Sequence, residues 1–273
     1  NNPNVGLETD LFAFELEYNK GNGSKLYNGN ISQSFWETAN DNVTRKYNYY
    51  YDDLNRITSA NYYRWNENSN FNMSASYDKN GNIQSLYRRG AMVDQPEAMN
   101  SSHYGTMDNL SYAYDGNQLT KVTDNGDDAY GFKDGVNTDN DYSYDANGNM
   151  IVDKNKDITS ITYNHLNLPT LVSINDGGGN VGDISYIYDA TGNKQTKSVT
   201  RVSTYGVNTN ITSYAGNYIY ENSYGYLTCP GCPSVPPTPL WLRFFNHPEG
   251  YVEPKNESDL SQGFDYIYQY KDH

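Results

Sequence analysis

The chain contains 273 residues, of which 33 are acidic and 19 are basic, so its formal net charge is -14. Hydrophobic residues make up only 36% of it, and no stretch approaches the roughly 18 consecutive apolar residues of a membrane-spanning helix. We therefore expect neither a membrane protein, nor a coiled coil, nor a nucleic-acid binder with a broad basic surface. The 29 tyrosines instead predict a folded core built from tyrosine, because the ring can be buried while the hydroxyl finds a partner.

A Tyr-Asp repeat organises most of the chain. Full copies follow the pattern Tyr-Asp-x-x-Gly-Asn, a shortened copy begins at Tyr114, a degenerate copy begins at Tyr163, and a trimmed copy begins at Tyr27. The spacing between copies is irregular, so loops or extra strands must separate them. The residues that define the repeat are Tyr51, Asp52, Tyr77, Asp78, Gly81, Asn82, Tyr114, Asp115, Tyr144, Asp145, Gly148, Asn149, Tyr188, Asp189, Gly192 and Asn193.

Each copy has the local chemistry of a tight turn between two β-strands. Glycine adopts the positive φ that such turns need, asparagine tolerates it, and an aspartate carboxylate can accept backbone N–H groups two residues on. The flanking runs, such as Ile184-Ser185-Tyr186-Ile187-Tyr188, alternate with period two and are rich in β-branched and aromatic residues. The sequence therefore predicts an all-β fold of successive antiparallel hairpins that stack on their neighbours.

These Tyr-Asp-x-x-Gly-Asn units resemble the YD repeats of RHS proteins over roughly residues 25 to 200. Two segments of the tail extend the resemblance: Phe244-Phe245-Asn246-His247-Pro248-Glu249-Gly250-Tyr251-Val252 and Tyr266-Ile267-Tyr268-Gln269-Tyr270-Lys271-Asp272-His273. Both are similar to the segment that precedes the RHS core in proteins of Bacteroidetes. In that family the second segment continues as Leu-Gly-Asn, so the chain stops inside a family motif.

The resemblance implies a curved β-sheet that forms part of a hollow shell. We divide the chain accordingly into a YD-repeat shell segment at 1–227, a connector rich in Pro and Cys at 228–240, and the start of the core-proximal segment at 241–273. Two stretches, 87–110 and 205–262, lack the repeat and are expected to be insertions.

The resemblance also implies a function. The shells of RHS proteins have no catalytic role. They enclose or present other domains, which in some relatives include a C-terminal polymorphic toxin. We therefore expect a non-enzymatic structural segment of a large protein that is secreted or lies at the bacterial cell surface. The partners implied are the remainder of its own chain, an enclosed toxin domain, and outer-membrane or type IX secretion proteins. Nucleic acid is not among them.

A second hypothesis is a cell-surface adhesin that binds polysaccharide, because exposed aromatic faces stack on sugar rings. Its candidate residues are Trp36, Trp65 and Trp241, and the competing interpretation is that these rings pack in the core. A third hypothesis is an all-β carbohydrate-active enzyme. The 33 acidic residues single out no carboxylate pair, and we assign no catalytic residue and no cofactor.

Two clusters contain residue types that can bind metal ions. Cys229 and Cys232 have the spacing of a zinc knuckle but lack a second ligand pair, so zinc, a local disulfide and plain turn thiols all remain open. Asp124, Asp127 and Asp128 form a dense group of carboxylates that could hold calcium or simply form a solvated turn. We predict no metal site from either cluster.

Overall fold

The computed structural model describes residues 11–20, 25–64, 67–135, 138–179, 181–227, 234–235 and 237–268. The described chain is all-β, with three single-turn 3₁₀ segments at Ser101–His103, Lys154–Lys156 and Leu260–Gln262. No described segment forms a helix with the length and apolar character needed to cross a membrane. The chain divides into two compact units, Asn1–Asp141 and Tyr142–His273.

The first unit contains one antiparallel sheet. Its strands follow one another in chain order across the sheet, with one exception. The short β5 pairs with the C-terminal end of β4, and β6 pairs with the middle of β4. The strands of the first unit are β1 (Phe12–Glu17), β2 (Gln33–Thr38), β3 (Arg45–Tyr51), β4 (Ile57–Arg64), β5 (Glu67–Asn68), β6 (Met73–Tyr77), β7 (Ile83–Ala91), β8 (Tyr104–Asp115) and β9 (Gln118–Asp124).

The second unit contains another antiparallel sheet with the same plan. Here the short β18 and the longer β19 both pair with β17, at different positions along it. The strands of the second unit are β10 (Tyr142–Tyr144), β11 (Met150–Asp153), β12 (Ile158–Tyr163), β13 (Pro169–Asn175), β14 (Val181–Tyr188), β15 (Lys194–Ser203), β16 (Gly206–Ala215), β17 (Tyr218–Leu227), β18 (Ser234–Val235), β19 (Trp241–His247), β20 (Gly250–Pro254) and β21 (Phe264–Tyr268).

The all-β class and the antiparallel hairpins predicted from the sequence are confirmed. The stretch 205–262, which lacks the repeat, nevertheless adds strands β16 to β20 to the second sheet in continuous antiparallel pairing. The predicted connector at 228–240 lies partly outside the described residues, and β17 and β19 on its two sides pair with each other. Strands in this insertion therefore extend the sheet without the Tyr-Asp motif.

Aromatic rings form the core of the first unit. Tyr62 is only 3% exposed, and the Phe71 ring packs edge-on against it at a centroid distance of 5.1 Å. Tyr104 also packs edge-on against Phe71, at a centroid distance of 5.4 Å, while Trp36 stacks on Tyr47 at 5.6 Å. Burial raises the pKa of the Tyr47 phenol to about 12. A continuous series of rings therefore supplies much of the apolar contact in the first unit, together with the buried Leu110 and Val122.

Removing the ring at the centre of this series should destabilise the first unit. Tyr62→Ala is expected to lower the free energy of unfolding by about 3–5 kcal/mol, because truncation of a buried aromatic residue leaves a cavity. The matched control is Tyr205→Ala, since Tyr205 is 81% exposed and its loss should cost less than about 0.5 kcal/mol. Urea unfolding followed by tyrosine fluorescence measures both. Equal effects would contradict an aromatic core.

Candidate functional site

The Tyr-Asp turns form the most regular chemical feature of the described chain. In the copy that begins at Tyr77, Asp78 Oδ1 accepts the backbone N–H groups of Asn80 and Asn82, both at 2.8 Å. Asp78 Oδ2 accepts the side-chain amide of Asn82 at 2.9 Å. The backbone closes the same loop, since the N–H of Asp78 donates to the carbonyl of Asn82 and that of Gly81 donates to the carbonyl of Asp78. One carboxylate therefore fixes the whole loop.

The same pattern recurs at four other turns with small changes of side chain. At Asp145 the partners are Asn147 and Asn149, and at Asp189 they are Thr191 and Asn193. The remaining two turns use Asp52, whose carboxylate also binds the Arg56 side chain, and Asn164, whose amide oxygen replaces the carboxylate.

In all five turns, the fourth residue counted from the Asp or Asn that accepts the hydrogen bonds adopts positive φ. It is glycine at Gly81, Gly148 and Gly192, with φ of 95°, 84° and 86°, and asparagine at Asn55 and Asn167, with φ of 62° and 56°. A three-residue hairpin loop of this kind carries a bulge at the adjoining strand residue. The register shifts accordingly at the repeat tyrosine, for example between Ser76 and Tyr77. The bulge sets the position of that tyrosine relative to the turn.

The hydroxyl group of the repeat tyrosine connects one hairpin to the preceding one. Tyr77 donates its hydroxyl hydrogen to the carbonyl of Ile57 at 2.8 Å, and Ile57 is the first residue of the strand that leaves the preceding turn. The other donor and acceptor pairs are Tyr51 with Ile31, Tyr114 with Ile83, Tyr163 with Met150, and Tyr188 with Pro169, at distances from 2.6 to 3.0 Å. This bond joins hairpins that the turn motif alone would leave separate.

Asparagine side chains join neighbouring turns in pairs. Asn80 and Asn82 both donate their amide N–H groups to Asn117 Oδ1, at 3.1 and 3.0 Å. The same arrangement joins Asn28 and Asn30 to Asn55, and Asn147 and Asn149 to Asn167. We call these three contacts the asparagine clamps. They hold successive turns side by side along one edge of each sheet.

An arginine adds a further connection in the first unit. Arg56 Nη1 donates to the carbonyl of Asp78 at 2.8 Å, and its guanidinium lies 4.7 Å from the centroid of the Tyr77 ring. It therefore reaches from its own turn to the next one. The sequence analysis did not identify Arg56, because its acceptor is a backbone carbonyl in another repeat.

The shortened copy has a different turn. Asp115 pairs directly with Gln118, and the two-residue loop between them has Gly116 at φ 59°. The described structure places no backbone N–H on the Asp115 carboxylate, unlike the longer turns. The sequence analysis missed a second loop of this type at Gly216 and Asn217, although its Gly-Asn pair resembles that of the shortened copy.

The other candidate residues lie in separate places. Trp36 stacks on Tyr47 in the aromatic series of the first unit, whereas Trp241 lines an open groove in the second unit, and both side chains are partly exposed. Trp65, Cys229 and Cys232 lie outside the described residues. The structure therefore gives Trp36 and Trp241 different surroundings.

In the acidic cluster, the carboxylates of Asp124 and Asp127 accept backbone hydrogen bonds. Asp124 Oδ1 accepts the N–H groups of Asn109 and Gly126 at 2.7 Å, and Asp127 Oδ1 accepts that of Ala129 at 2.8 Å. Asp128 is exposed. Within the described part of the chain, no group of three or more His, Cys, Asp or Glu side chains has a metal-binding arrangement.

The chain matches no protein-family model and no curated protein.

The hydrogen bonds within the turns lower the pKa of their carboxyls. In Asp189 the Thr191 hydroxyl and the Asn193 backbone N–H lower the pKa to about 2. The side-chain amides of Asn82 and Asn149 lower the pKa of Asp78 and Asp145, respectively. Since these groups bind protons less readily in the folded state than in the unfolded state, where the pKa is about 3.9, they stabilise the fold fully above that range. Their contribution is lost as pH falls from about 4 towards about 2.

A triple variant tests this pH dependence. Between pH 7 and pH 3, Asp78→Asn, Asp145→Asn and Asp189→Asn combined should show a smaller loss of urea midpoint than the unaltered chain, because the amides do not titrate. The matched control is Asp128→Asn, which replaces an exposed carboxyl outside the repeat turns. Equal losses in all three proteins would show that the turn carboxylates do not contribute.

Proposed function

We propose that this chain is a non-enzymatic wall segment of a larger RHS/YD-repeat protein, in which its sheets help to enclose or present other domains. The observation that carries the proposal is the hydrogen bond from five of the repeat tyrosines to the preceding hairpin, for example Tyr77 to Ile57 and Tyr188 to Pro169. A motif whose recurring hydrogen bonds lie between repeats serves the assembly of a sheet.

The contacts between repeats suit a wall that grows by addition of hairpins. Apart from the short β5 and β18, the strands of each sheet pair in chain order, and each asparagine clamp joins one turn to the next. Repeat proteins gain stability in this way, from the interfaces between neighbouring units, and so can extend without a new core design. The tyrosine and asparagine bonds supply such interfaces at the turn edge, where the backbone ladder between hairpins stops.

The state of the repeat carboxylates also supports a structural role. Asp189 has a pKa of about 2 because its oxygens accept hydrogen bonds from its own loop. Such a group stays ionised near neutral pH and is a poor general acid, since an effective proton donor has a pKa near the working pH. The carboxyls of Asp78 and Asp145 accept hydrogen bonds at the equivalent loop positions, and their pKa is lowered as well. These three repeat carboxylates are therefore suited to stabilising their turns and not to donating protons.

The proposal includes location and partners. By the resemblance of its repeats to those of RHS proteins, the parent protein is secreted or displayed at the bacterial surface. Its partners are then the remainder of the same chain, an enclosed toxin domain, and the outer-membrane or type IX secretion proteins that export it.

Electron cryomicroscopy of the natural protein that carries these residues tests the proposal. We expect a hollow β-shell in which the Tyr-Asp turns lie in rows and this chain forms part of the wall. The control is the triple variant Asp78→Asn, Asp145→Asn, Asp189→Asn. Its shell should keep the same strand order, so the rows of turns should stay in the same positions. A compact domain with no enclosed or presented partner would contradict the proposal.

A further inference from the structure

Strand β1 lies at the edge of the first sheet. It pairs with β2 on one side, and within the described residues no strand pairs with its other side. The N–H of Ala39 donates to the carbonyl of Leu11, and hydrogen-bonded positions alternate along an antiparallel pair. The N–H and C=O groups of Phe12, Phe14 and Leu16 therefore point away from β2. They form an open edge to which a further strand can be added.

One face of β1 is apolar and exposed. The side chains of Phe12 and Phe14 are 58% and 53% exposed, and their rings stack at a centroid distance of 6.3 Å. Leu16 follows them on the same face, because alternate residues of a strand share a face. Phe14 lies opposite Trp36 of β2, so this face continues the aromatic series of the first unit as far as the open edge. Apolar residues of an added strand would cover these rings.

The other face of β1 is acidic. It carries Glu15 and Glu17, and Glu37 of β2 lies on the same face. Lys46, the cation of β3 on this face, packs over aromatic rings instead of pairing with them. The ion pairs formed among the described residues involve none of these three glutamates. In that part of the chain, negative charge without a paired cation therefore lies next to the open edge.

Glu17 adds a more specific requirement. Its Oε2 atom is shielded from solvent and has no hydrogen-bond partner within the described residues. The residue opposite, Gln33, is almost fully buried and donates its side-chain amide to Asn48. A shielded carboxylate oxygen without a donor costs free energy, whereas a Lys or Arg side chain would supply both a hydrogen bond and the opposite charge. The edge is therefore suited to a strand that carries basic residues.

We propose that β1 binds an extended segment of a separate protein in which apolar and basic residues alternate. The apolar residues cover Phe12, Phe14 and Leu16. The basic residues face Glu15 and Glu17 on the other side of the added strand. The backbone of the segment continues the antiparallel ladder of the first sheet, which is the mode of binding called strand addition.

Two other occupants fit this edge less well. A second copy of β1 would place glutamates against glutamates, and like charges on facing strands destabilise the pairing. A strand from the same chain is disfavoured by composition, because only 19 of the 273 residues are basic and residues 1–10, which precede β1, contain none. Charge therefore favours a separate protein as the source. The inference goes beyond the proposed wall function and uses no Tyr-Asp turn.

Fluorescence anisotropy with labelled hexapeptides tests this inference on the full chain. The probe Val-Arg-Val-Lys-Val-Arg should bind. The acidic peptide Val-Glu-Val-Glu-Val-Glu should bind at least about tenfold more weakly, because it repels the glutamates of β1. The block peptide Val-Val-Val-Arg-Lys-Arg should also bind at least about tenfold more weakly, because it cannot place apolar and basic residues on separate faces. Raising the salt concentration should weaken binding of the probe.

Backbone methylation of the probe shows whether it adds as a strand. Residues in a hydrogen-bonded pair exchange both backbone bonds, so the valines opposite Phe12, Phe14 and Leu16 must donate their N–H groups to β1. Methylation of the valine nitrogens should therefore weaken binding by at least about tenfold, through the loss of several hydrogen bonds. The matched control is methylation of the arginine and lysine nitrogens, which point away from β1. Equal effects of the two modifications would contradict strand addition.

Charge variants of β1 locate the basic residues of the probe. Glu15→Gln and Glu17→Gln combined should weaken binding of the probe by at least about tenfold, since charge-assisted hydrogen bonds are lost. The control combines Glu97→Gln and Glu249→Gln, which change two exposed glutamates outside β1 and should leave the affinity unchanged.

Ring variants of β1 locate the apolar residues of the probe. Phe12→Ser and Phe14→Ser combined should weaken binding by at least about tenfold, because the valines lose the surface that they cover. The control is Tyr205→Ser, which removes an exposed ring in the second unit. Circular dichroism verifies that each variant is folded.

Photocrosslinking identifies the source of the segment. With p-benzoylphenylalanine in place of Phe14, the natural protein that carries these residues should crosslink to a different protein, at a stretch in which basic and apolar residues alternate. A crosslink to the same chain, a crosslink to a second copy, or no crosslink would overturn the inference. So would absence of probe binding, equal binding of the acidic or block peptide, or affinity that the β1 variants leave unchanged. The peptide titrations do not depend on the shell reconstruction, so the wall proposal and this one can fail separately.

Discussion

The tyrosine hydroxyl bond between hairpins is the contact that the rest of the architecture depends on. Near each turn the backbone ladder between one hairpin and the next stops early. Between β7 and β8 it reaches Ser85, and the carbonyl of Ile83 beyond it is bound by the Tyr114 hydroxyl. Between β13 and β14 it reaches Leu171, and the carbonyl of Pro169 is bound by the Tyr188 hydroxyl. Since an unpaired backbone carbonyl in a shielded position costs free energy, the tyrosine completes the pairing where the strands cannot.

The other parts of the repeat place this tyrosine. The aspartate closes the loop, the glycine or asparagine at positive φ creates the bulge, and the bulge shifts the register at the tyrosine itself. The asparagine clamps then hold adjacent turns at a fixed separation. This division of tasks explains why one short motif can recur at irregular spacing, since the strands between the turns can differ in length without changing the connection at the turn edge.

Local features of the fold could be predicted from the sequence, whereas contacts between distant residues could not. The alternating strands and the Gly81 and Gly148 turns depend on neighbouring residues, and both are present. The partner of Tyr77 is a backbone carbonyl twenty residues away. Every residue has such a carbonyl, so the sequence does not indicate which one accepts the hydrogen bond. The sequence alone does not distinguish Trp36 from Trp241. Trp36 stacks on Tyr47 in the first sheet and Trp241 lines a groove in the second, because each has neighbours supplied by strands distant in the sequence.

Hydrogen exchange measured by mass spectrometry on Tyr77→Phe tests the central claim most directly. The variant keeps the ring and removes only the hydroxyl group that bonds to Ile57. If the bond couples the hairpins, amides around both the 51–57 turn and the 77–83 turn should exchange about two- to tenfold faster, the effect of losing one hydrogen bond of about 0.5–1.5 kcal/mol. Tyr205→Phe, which alters an exposed ring, should leave both turns unchanged. Faster exchange confined to the 77–83 turn, or no change at either turn, would contradict the account.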